Sequence, residues 1–266
     1  MHALTRTPDQ VHFPADVTPI KGDLTDIDSL RRAMKDISTV FLLVSNAADE
    51  LTQALQALNV ARDVAVKGIV YLSVFKSEAY VDVPHFTGKY TVERMIEQSA
   101  LPATVLRPAY FIQNDIQQKE PLLNDGVYGI PIGSKRISMV DIRDIGEAAA
   151  PELLWRESAS GPLPFEVYDL VGLDALNADS MVAIRADVLH RPVRYVGDDL
   201  DVFEARLKTF TPQWYAYDMR LMMHRYQQDG AVSSSAQLER FASLLARKPR
   251  TYRDFAVNAV QTWANN

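Results

Sequence analysis

The sequence predicts an α/β protein that is built on a doubly wound parallel sheet and continues into a smaller, mostly helical part. Over residues 3–106, short apolar, β-branched segments alternate with segments in which apolar residues recur at helical spacing. From about residue 177 onward the spacing is mostly helical. The chain has 266 residues, of which 47% are apolar, so it is long and apolar enough to bury a sizeable core.

The elements of the first part follow one another in a regular order. Strands are predicted at 3–5, 18–21, 39–44, 69–72 and 103–106. Asp26 is suited to cap the first helix and Pro84 to open the third. We predict that Gly68 ends the second helix. The strand at 39–44 is apolar at every position after Thr39, which predicts burial on both of its faces.

The regular alternation of strands and helices ends after Pro108. The sequence predicts a turn-rich stretch at 124–133, a strand at 137–140 and a helix opened by Asp144. The segment 140–144 is interpreted as one that opens this helix and pins a loop.

The remaining chain is predicted to return once to the sheet and then to be helical. The returning strand is expected at 165–171. Apolar stripes predict three later helices, on Trp214, Tyr217 and Leu221, on Leu238, Phe241 and Leu245, and on Phe255, Ala259 and Trp263. These patterns divide the chain into a body at 1–110, completed by the strand near 165–171, and a mainly helical part at 111–164 and 172–266.

Composition argues against several classes of function. The 28 Lys+Arg and 34 Asp+Glu give a net charge of −6, which argues against a nucleic-acid footprint or a polybasic membrane contact. The chain has no cysteine, which excludes disulfides, thiolate metal sites and cysteine nucleophiles, and we predict no metal site. The apolar run 40–44 is far shorter than the roughly 20 residues that cross a bilayer. Residues 1–8 lack the apolar core of a signal peptide, so we expect a cytoplasmic protein.

Polar residues follow the predicted strands at their carboxyl ends, where open α/β sheets bind ligands. Asp23, in the segment 22–26, is suited to accept a hydrogen bond from an adenine amino group. The alternative is that Asp23 stabilises the turn and Asp26 caps the helix. Arg6 ends the first strand, and its guanidinium matches a 2′-phosphate on the adenosine ribose, which favours NADP over NAD. The alternative for Arg6 is a solvated side chain.

The next two strands also end in small polar residues. Ser45, Asn46 and the segment 73–75 are suited to ribose and pyrophosphate oxygens, although ordinary loop starts also favour Ser and Asn. Lys89, on the third helix, is suited to hold ribose hydroxyls and to lower the pKa of a neighbouring acid, or it is a surface lysine. His85 lies one helical turn before it, where it can pass a proton or cap the helix.

The segment 107–114 turns the chain toward the expected substrate. Arg107 is interpreted as a structural anchor whose guanidinium binds loop carbonyls. Tyr110, Phe111 and Asn114 are predicted to line the substrate pocket.

Taken together, these segments resemble the NmrA-like family of atypical short-chain dehydrogenases/reductases. The matching segments run in the family's order over about half of the chain: 3–6, 22–26, 40–43, 69–73, 85–89 with Glu93, 107–108 with Asn114, and 139–146. The resemblance implies a Rossmann fold that binds NAD(P), in a family that contains both reductases and redox-sensing regulators.

The resemblance also implies roles for individual residues. Arg6 corresponds to the 2′-phosphate ligand, Asp23 and Leu24 to adenine neighbours, and Lys89 to a ribose-binding lysine that is a catalytic candidate together with His85. The resemblance also assigns the nicotinamide-side strand end to Ser73, Val74 and Phe75. The predicted cofactor-binding set is completed by Leu43, Ser45, Asn46 and Pro108.

Two features depart from the family pattern. Typical short-chain dehydrogenases have a tyrosine four residues before the lysine, where this chain has His85, so proton transfer falls to His85, Tyr90, Tyr110 or water. The family also opens with a strand, a glycine-rich turn and a helix, and none of the 11 glycines here forms the Gly-x-x-Gly-x-x-Gly turn that binds pyrophosphate. Either the recorded start is internal to a longer product, which we favour, or the short chain is real and binds cofactor weakly or not at all.

We therefore expect an NAD(P)H-dependent oxidoreductase that prefers NADPH and transfers a hydride to a small carbonyl, enone or quinone. The alternative is a non-catalytic NAD(P)-sensing regulator with a protein partner, which the missing tyrosine favours. The expected partner of the enzyme is a small-molecule substrate, and neither nucleic acid nor membrane is expected to bind. The oligomeric state has no signal in the sequence.

Overall fold

The computed structural model describes residues 1–161 and 163–264, and its strands and helices follow the predicted order. The strands are β1 (His2–Thr5), β2 (Thr18–Lys21), β3 (Thr39–Leu42), β4 (Gly68–Leu72), β5 (Ala103–Pro108), β6 (Tyr110–Phe111), β7 (Val127–Tyr128), β8 (Ile137–Val140), β9 (Glu166–Leu170), β10 (Ala175–Leu176) and β11 (Arg194–Tyr195). The helices are α1 (Ile27–Met34), α2 (Glu50–Asp63), α3 (Pro84–Gln98), α4 (Ile142–Ser158), α5 (Ala178–Leu189), α6 (Leu200–Leu207), α7 (Gln213–Gln228), α8 (Ser235–Leu245) and α9 (Tyr252–Ala264). The predicted α/β class is confirmed. Among the described residues, no helix is both long and apolar enough to cross a membrane.

The strands form several small sheets. The largest has the order β3-β4-β5-β9, and β1 and β2 form a separate two-stranded sheet. The chain divides into two compact units. The first unit is Met1–Leu72, Gly88–Val105 and Glu152–Glu166, and the second unit is Ser73–Thr87, Leu106–Pro151 and Val167–Asn266.

Parallel strand pairs organise the first unit. β1 pairs in parallel with β2, and β3 pairs in parallel with β4. Helix α1 packs against α2. The backbone N–H of Ser29 donates to the Asp26 carboxylate at 3.1 Å, so Asp26 caps α1 as predicted.

The prediction for Gly68 is wrong. Helix α2 ends at Asp63, the left-handed residue is Ala65 with φ 59°, and Gly68 begins β4. A Cβ at position 68 would lie 2.6 Å from the Cβ of Arg156, so the glycine is required by the close approach of β4 to α4. Close packing, not a helix cap, therefore explains this glycine.

The prediction that the strand at 39–44 is buried on both faces is also wrong. Leu42 and Val44 are buried, whereas Phe41 and Leu43 are 39% and 53% exposed. Because successive side chains of a strand point to opposite faces, one face of β3 is covered and the other is open.

The second unit contains a three-stranded sheet of order β10-β8-β6, a β7–β11 pair and the late helices. Helix α4 begins at Ile142, and Asp141, not Asp144, supplies its opening hydrogen bonds. Asp144 is fully buried and accepts from Arg247 at 2.6 Å and from the backbone N–H of Arg250 at 2.7 Å. The predicted loop-pinning role of this segment is therefore confirmed, with the opening residue corrected.

The apolar stripe predicted on α7 is misplaced. Trp214 and Tyr217 are exposed, and the buried residues of α7 are Ala216, Asp218, Met222, Met223 and Tyr226. Large aromatic side chains suggested the buried face, but packing in the second unit selects the neighbouring face, which carries a carboxylate.

Candidate functional site

Lys89 forms an almost buried ion pair in the first unit. Its Nζ lies 2.5 Å from Oε1 of Glu50, and the two side chains are 13% and 8% exposed. The same Nζ lies 6.0 Å from the ring centroid of Tyr71, near the carboxyl end of β4. The alternative of a solvated surface lysine is therefore wrong, because the ammonium is held between a carboxylate and an aromatic face.

Tyr71 adds an unpaired hydroxyl to this cluster. Burial raises the pKa of Tyr71 well above its ordinary value, and the nearby negative charges of Glu50 and Glu93 raise it further. Tyr71 is therefore a neutral phenol. Its hydroxyl has no hydrogen-bond partner among the described residues. A buried donor of this kind is typical of a place where water or a ligand binds.

Arg6 and Asp23 lie near each other after β1 and β2. The Asp23 carboxylate accepts from the backbone N–H and the hydroxyl of Thr25, both at 2.8 Å. These bonds lower the pKa of Asp23, and the Arg6 charge lowers it further. Asp23 thus stabilises its own turn, as the alternative predicted. Its role toward adenine and the role of exposed Arg6 toward a 2′-phosphate stay predictions.

The remaining predicted cofactor residues of the first unit lie at or near the surface. Leu43 and Ser45 are exposed, whereas Leu24 and Asn46 are half-buried. The exposed side chains of Leu43 and Ser45 are accessible to a ligand, and the cofactor roles of all four residues stay predictions.

In the second unit, the backbone fixes the residues that follow β4. The N–H of Ser73 donates to the carbonyl of Leu106 at 2.8 Å, and the N–H of Phe75 donates to the carbonyl of Pro108 at 2.9 Å. Ser73, Phe75 and Pro108 are buried, and Val74 is half-buried. The structure therefore brings the predicted positions 73–75 and 108 together.

Arg107 anchors the neighbouring loop through a charge. Its Nη1 lies 3.3 Å from a carboxylate oxygen of Glu78. An anchoring role was predicted, and in this contact the partner is a carboxylate where a backbone carbonyl was expected.

His85 forms the second polar pair of interest. Its Nδ1 lies 2.7 Å from Oδ2 of Asp218 on α7, and the side chains are 10% and 4% exposed. The ring of Phe86 packs edge-on against the imidazole with centroids 4.7 Å apart. His85 is thus held on two sides inside the second unit and is not simply a helix cap.

Tyr110 is buried, Phe111 half-buried and Asn114 exposed. Burial raises the pKa of Tyr110 well above its ordinary value, the negative charge of Asp115 raises it further, and a hydrogen bond with Asn114 opposes the shift. Tyr110 also packs edge-on against Tyr226 with centroids 6.0 Å apart. The structure brings Tyr110 and Asn114 together, and their role toward substrate stays a prediction.

The residues present suit the two ends of a nicotinamide dinucleotide phosphate. Arg6 offers an exposed guanidinium for a phosphate, and Lys89 offers an ammonium for ribose hydroxyls. The unpaired hydroxyl of Tyr71 marks a place for a polar group from outside the chain. The pyrophosphate is the exception, because the sequence holds no glycine-rich turn for it.

Sequence reasoning missed Glu50 and Asp218. Glu50 lies 39 positions before Lys89, and no local pattern connects the two residues. Asp218 has a usable signal, since it lies one helical turn before Met222 and two turns before Tyr226 on α7. An acidic residue within a buried helical stripe indicates a fixed partner.

The chain is similar in sequence and in fold to known proteins. The model of the NmrA-like family matches residues 3–256. An NAD(P)H azoreductase of Xenophilus azovorans is 25% identical over 182 residues, which are 68% of this chain and 61% of that protein. The chain thus spans about three fifths of the length of that relative.

Solved structures show the same fold. An NADPH-dependent quinone oxidoreductase from Escherichia coli, in complex with NADPH, aligns with a TM-score of 0.80 and 21% identity, covering 92% of this chain and 84% of that one. NmrA, a negative transcriptional regulator, aligns with a TM-score of 0.70 and 19% identity, covering 94% and 84%. At these identities the likeness shows a Rossmann-type fold and no more.

Proposed function

Because this chain belongs to the NmrA-like family, we propose that it is an NADPH-dependent reductase that acts on a small carbonyl, enone or quinone. The observation that carries the proposal is the buried ammonium of Lys89, fixed by Glu50 beside the end of β4. The resemblance assigns the ribose-binding lysine to this position. The names of the azoreductase and the quinone oxidoreductase support a nicotinamide-dependent reduction.

In this proposal each group of the chain has a limited task. The bound dinucleotide supplies a hydride. Lys89 holds ribose hydroxyls, and its pairing with Glu50 fixes the direction from which the ammonium approaches them. Arg6 binds the 2′-phosphate, which gives the preference for NADPH. Tyr110 and Phe111 provide aromatic surface for the substrate, and Asn114 provides a hydrogen-bonding group.

A direct test follows NADPH consumption with a panel of quinones, enones and small ketones. Calorimetry first establishes that the protein binds NADPH. We expect cofactor oxidation that depends on at least one substrate class and that falls in Lys89→Met. A protein that binds NADPH but turns over no member of the panel contradicts the proposal.

A second candidate function is a non-catalytic sensor of the NADP redox state. The specific observation in its favour is that His85, four residues before Lys89, stands where typical dehydrogenases have the acid tyrosine. A sensor binds oxidised and reduced cofactor with different affinities and has no turnover. Calorimetry with NADP and NADPH, beside the turnover assay, separates the two functions.

A further inference from the structure

We propose that Asp218 is a positioning residue that holds His85 as the proton donor of the reduction. The pair takes the place of the tyrosine that this chain lacks. The inference rests on the proposed function, because it names the acid of that reaction. The motifs that carry the resemblance end at residue 146, and Asp218, in the late helix α7, is not among them.

The carboxylate of Asp218 engages His85 at two points. Oδ2 lies 2.7 Å from the ring Nδ1, and Oδ1 lies 3.5 Å from the backbone N–H of the same residue. Asp218 itself sits on the buried stripe of α7, where its side chain is 4% exposed. With Phe86 against one side of the ring, both the rotation and the position of the imidazole are restricted. A carboxylate placed in this way costs desolvation energy, which favours a specific role for the pair.

The geometry decides which nitrogen of His85 can act. Nδ1–H donates to the carboxylate, so Nε2 is the nitrogen left for a substrate. Among the described residues, Nε2 has no hydrogen-bond partner. In several enzymes a buried carboxylate orients a histidine through one ring nitrogen and leaves the other nitrogen available for proton transfer.

The proposed step balances in atoms and charge. When bound, a reduced nicotinamide dinucleotide would supply a hydride to the carbonyl carbon and would itself be left oxidised, while the electron pair of the C=O π bond moves to the oxygen. That oxygen takes the proton from Nε2–H of the imidazolium, so an alcohol forms and His85 becomes neutral with Nδ1–H still bonded to Asp218. A proton from water then restores the imidazolium.

Charged and titratable groups lie near the pair on α7, on α3 and in the loop before α3. On α7, Tyr215 lies close enough to Asp218 that burial and this carboxylate together raise the pKa of Tyr215. In the loop before α3, Asp82 is paired with Arg225 at 2.6 Å. On α3 itself, Lys89 lies one turn beyond His85. Of the described groups, only the Asp218 carboxylate contacts the imidazole in a polar pair.

The first experiment follows the Nδ1–H proton of His85 by NMR, with the signal assigned through His85→Gln. Because this group donates to the Asp218 carboxylate, we expect Asp218→Asn to speed its exchange with water by about tenfold or more. The matched control is Asp229→Asn at the end of α7, which removes an exposed carboxylate paired with Arg225 and leaves the exchange rate unchanged. An equal exchange rate in Asp218→Asn and the control overturns the positioning role.

The second experiment measures kcat and KM for NADPH against pH. His85→Gln and Asp218→Asn are expected to lower kcat by about 10²-fold or more with KM for NADPH unchanged. Asp218→Glu, which keeps a carboxylate for Nδ1, is expected to recover part of the kcat that Asp218→Asn loses, and a merely structural role would not produce this rescue. Unchanged kcat in both variants overturns the inference while leaving the reductase intact. Absence of turnover in the unaltered protein overturns the proposed function and the proton-donor role with it, and the NMR result still decides whether Asp218 controls His85.

Discussion

Replacing Glu50 by glutamine is expected to destabilise the first unit, because it leaves the ammonium of Lys89 without its charge partner. The two groups are 2.5 Å apart and keep only about a tenth of their side-chain surface. Breaking a buried ion pair from one side costs about 3–5 kcal/mol. The aromatic face of Tyr71 still stabilises the unpaired ammonium by roughly 0.5–1 kcal/mol, which offsets part of this cost.

The net loss in Glu50→Gln is therefore about 3 kcal/mol in the free energy of unfolding. For a chain of this size a change of 1 kcal/mol moves Tm by about 2–4 °C, so Tm is expected to fall by roughly 6–12 °C. The assay is thermal unfolding followed by circular dichroism, with urea unfolding as a second measure. Glu97→Gln on α3, the helix that carries Lys89, is the matched control, since Glu97 pairs with Arg94 at the surface and its loss costs at most about 1 kcal/mol.

The double variant Glu50→Gln, Lys89→Met tests the mechanism of the loss. If the penalty comes from an unpaired buried charge, removing the charge as well restores much of the stability. Equal losses in Glu50→Gln and Glu97→Gln would refute the reasoning. The reasoning would also be refuted if Glu50→Gln cost as much stability in the Lys89→Met variant as it does in the unaltered protein.

Three further predictions concern other contacts. Arg6→Ala is expected to weaken NADPH binding by about tenfold or more while leaving NADH binding nearly unchanged, since only NADPH carries the 2′-phosphate. Calorimetry measures both affinities, and an equal loss for the two cofactors contradicts the role of Arg6 as a 2′-phosphate ligand. Gly68→Ala is expected to cost about 1–3 kcal/mol in urea unfolding, because the new Cβ meets the Cβ of Arg156 at 2.6 Å, and an unchanged midpoint contradicts this. Asp144→Asn is expected to release the loop at Arg250 and speed the exchange of its backbone amide, and equal exchange rates would show that the loop is held by other contacts.

Local signals in the sequence predicted much of the fold. Asp26 caps α1 through Ser29, and Pro84 begins α3, because capping and the fixed φ of proline act within a few residues. The alternation of apolar strands and helices gave the element order for the same reason. The errors at Gly68 and on α7 arose where packing between distant segments decides which residue or face is buried.

The site was predictable only in part. The lysine and the histidine on α3 carried a recognisable spacing, but their partners Glu50 and Asp218 lie 39 and 133 positions away from them. Pairing over such separations depends on the folded chain, and no periodicity encodes it. The partners also change the interpretation of the site, because each turns a polar residue with several possible roles into one that is fixed in orientation and charge.

The open face of β3 bears on how well these residues hold a dinucleotide. An unbroken apolar run such as 40–44 is typical of a strand covered on both faces, yet Phe41 and Leu43 are exposed. In a doubly wound sheet of order 3-2-1-4-5-6, the strand that carries the phosphate-binding glycines lies between the counterparts of β1 and β3. Among the described residues β1 pairs with β2 alone. We therefore expect two effects when a strand, a glycine-rich turn and a helix are joined before β1. Amide exchange at 39–44 slows, because the added segment covers β3. The affinity for NADPH rises, because the same segment brings backbone N–H groups to the pyrophosphate. Tighter binding without added protection of β3 would show that the two effects have separate causes.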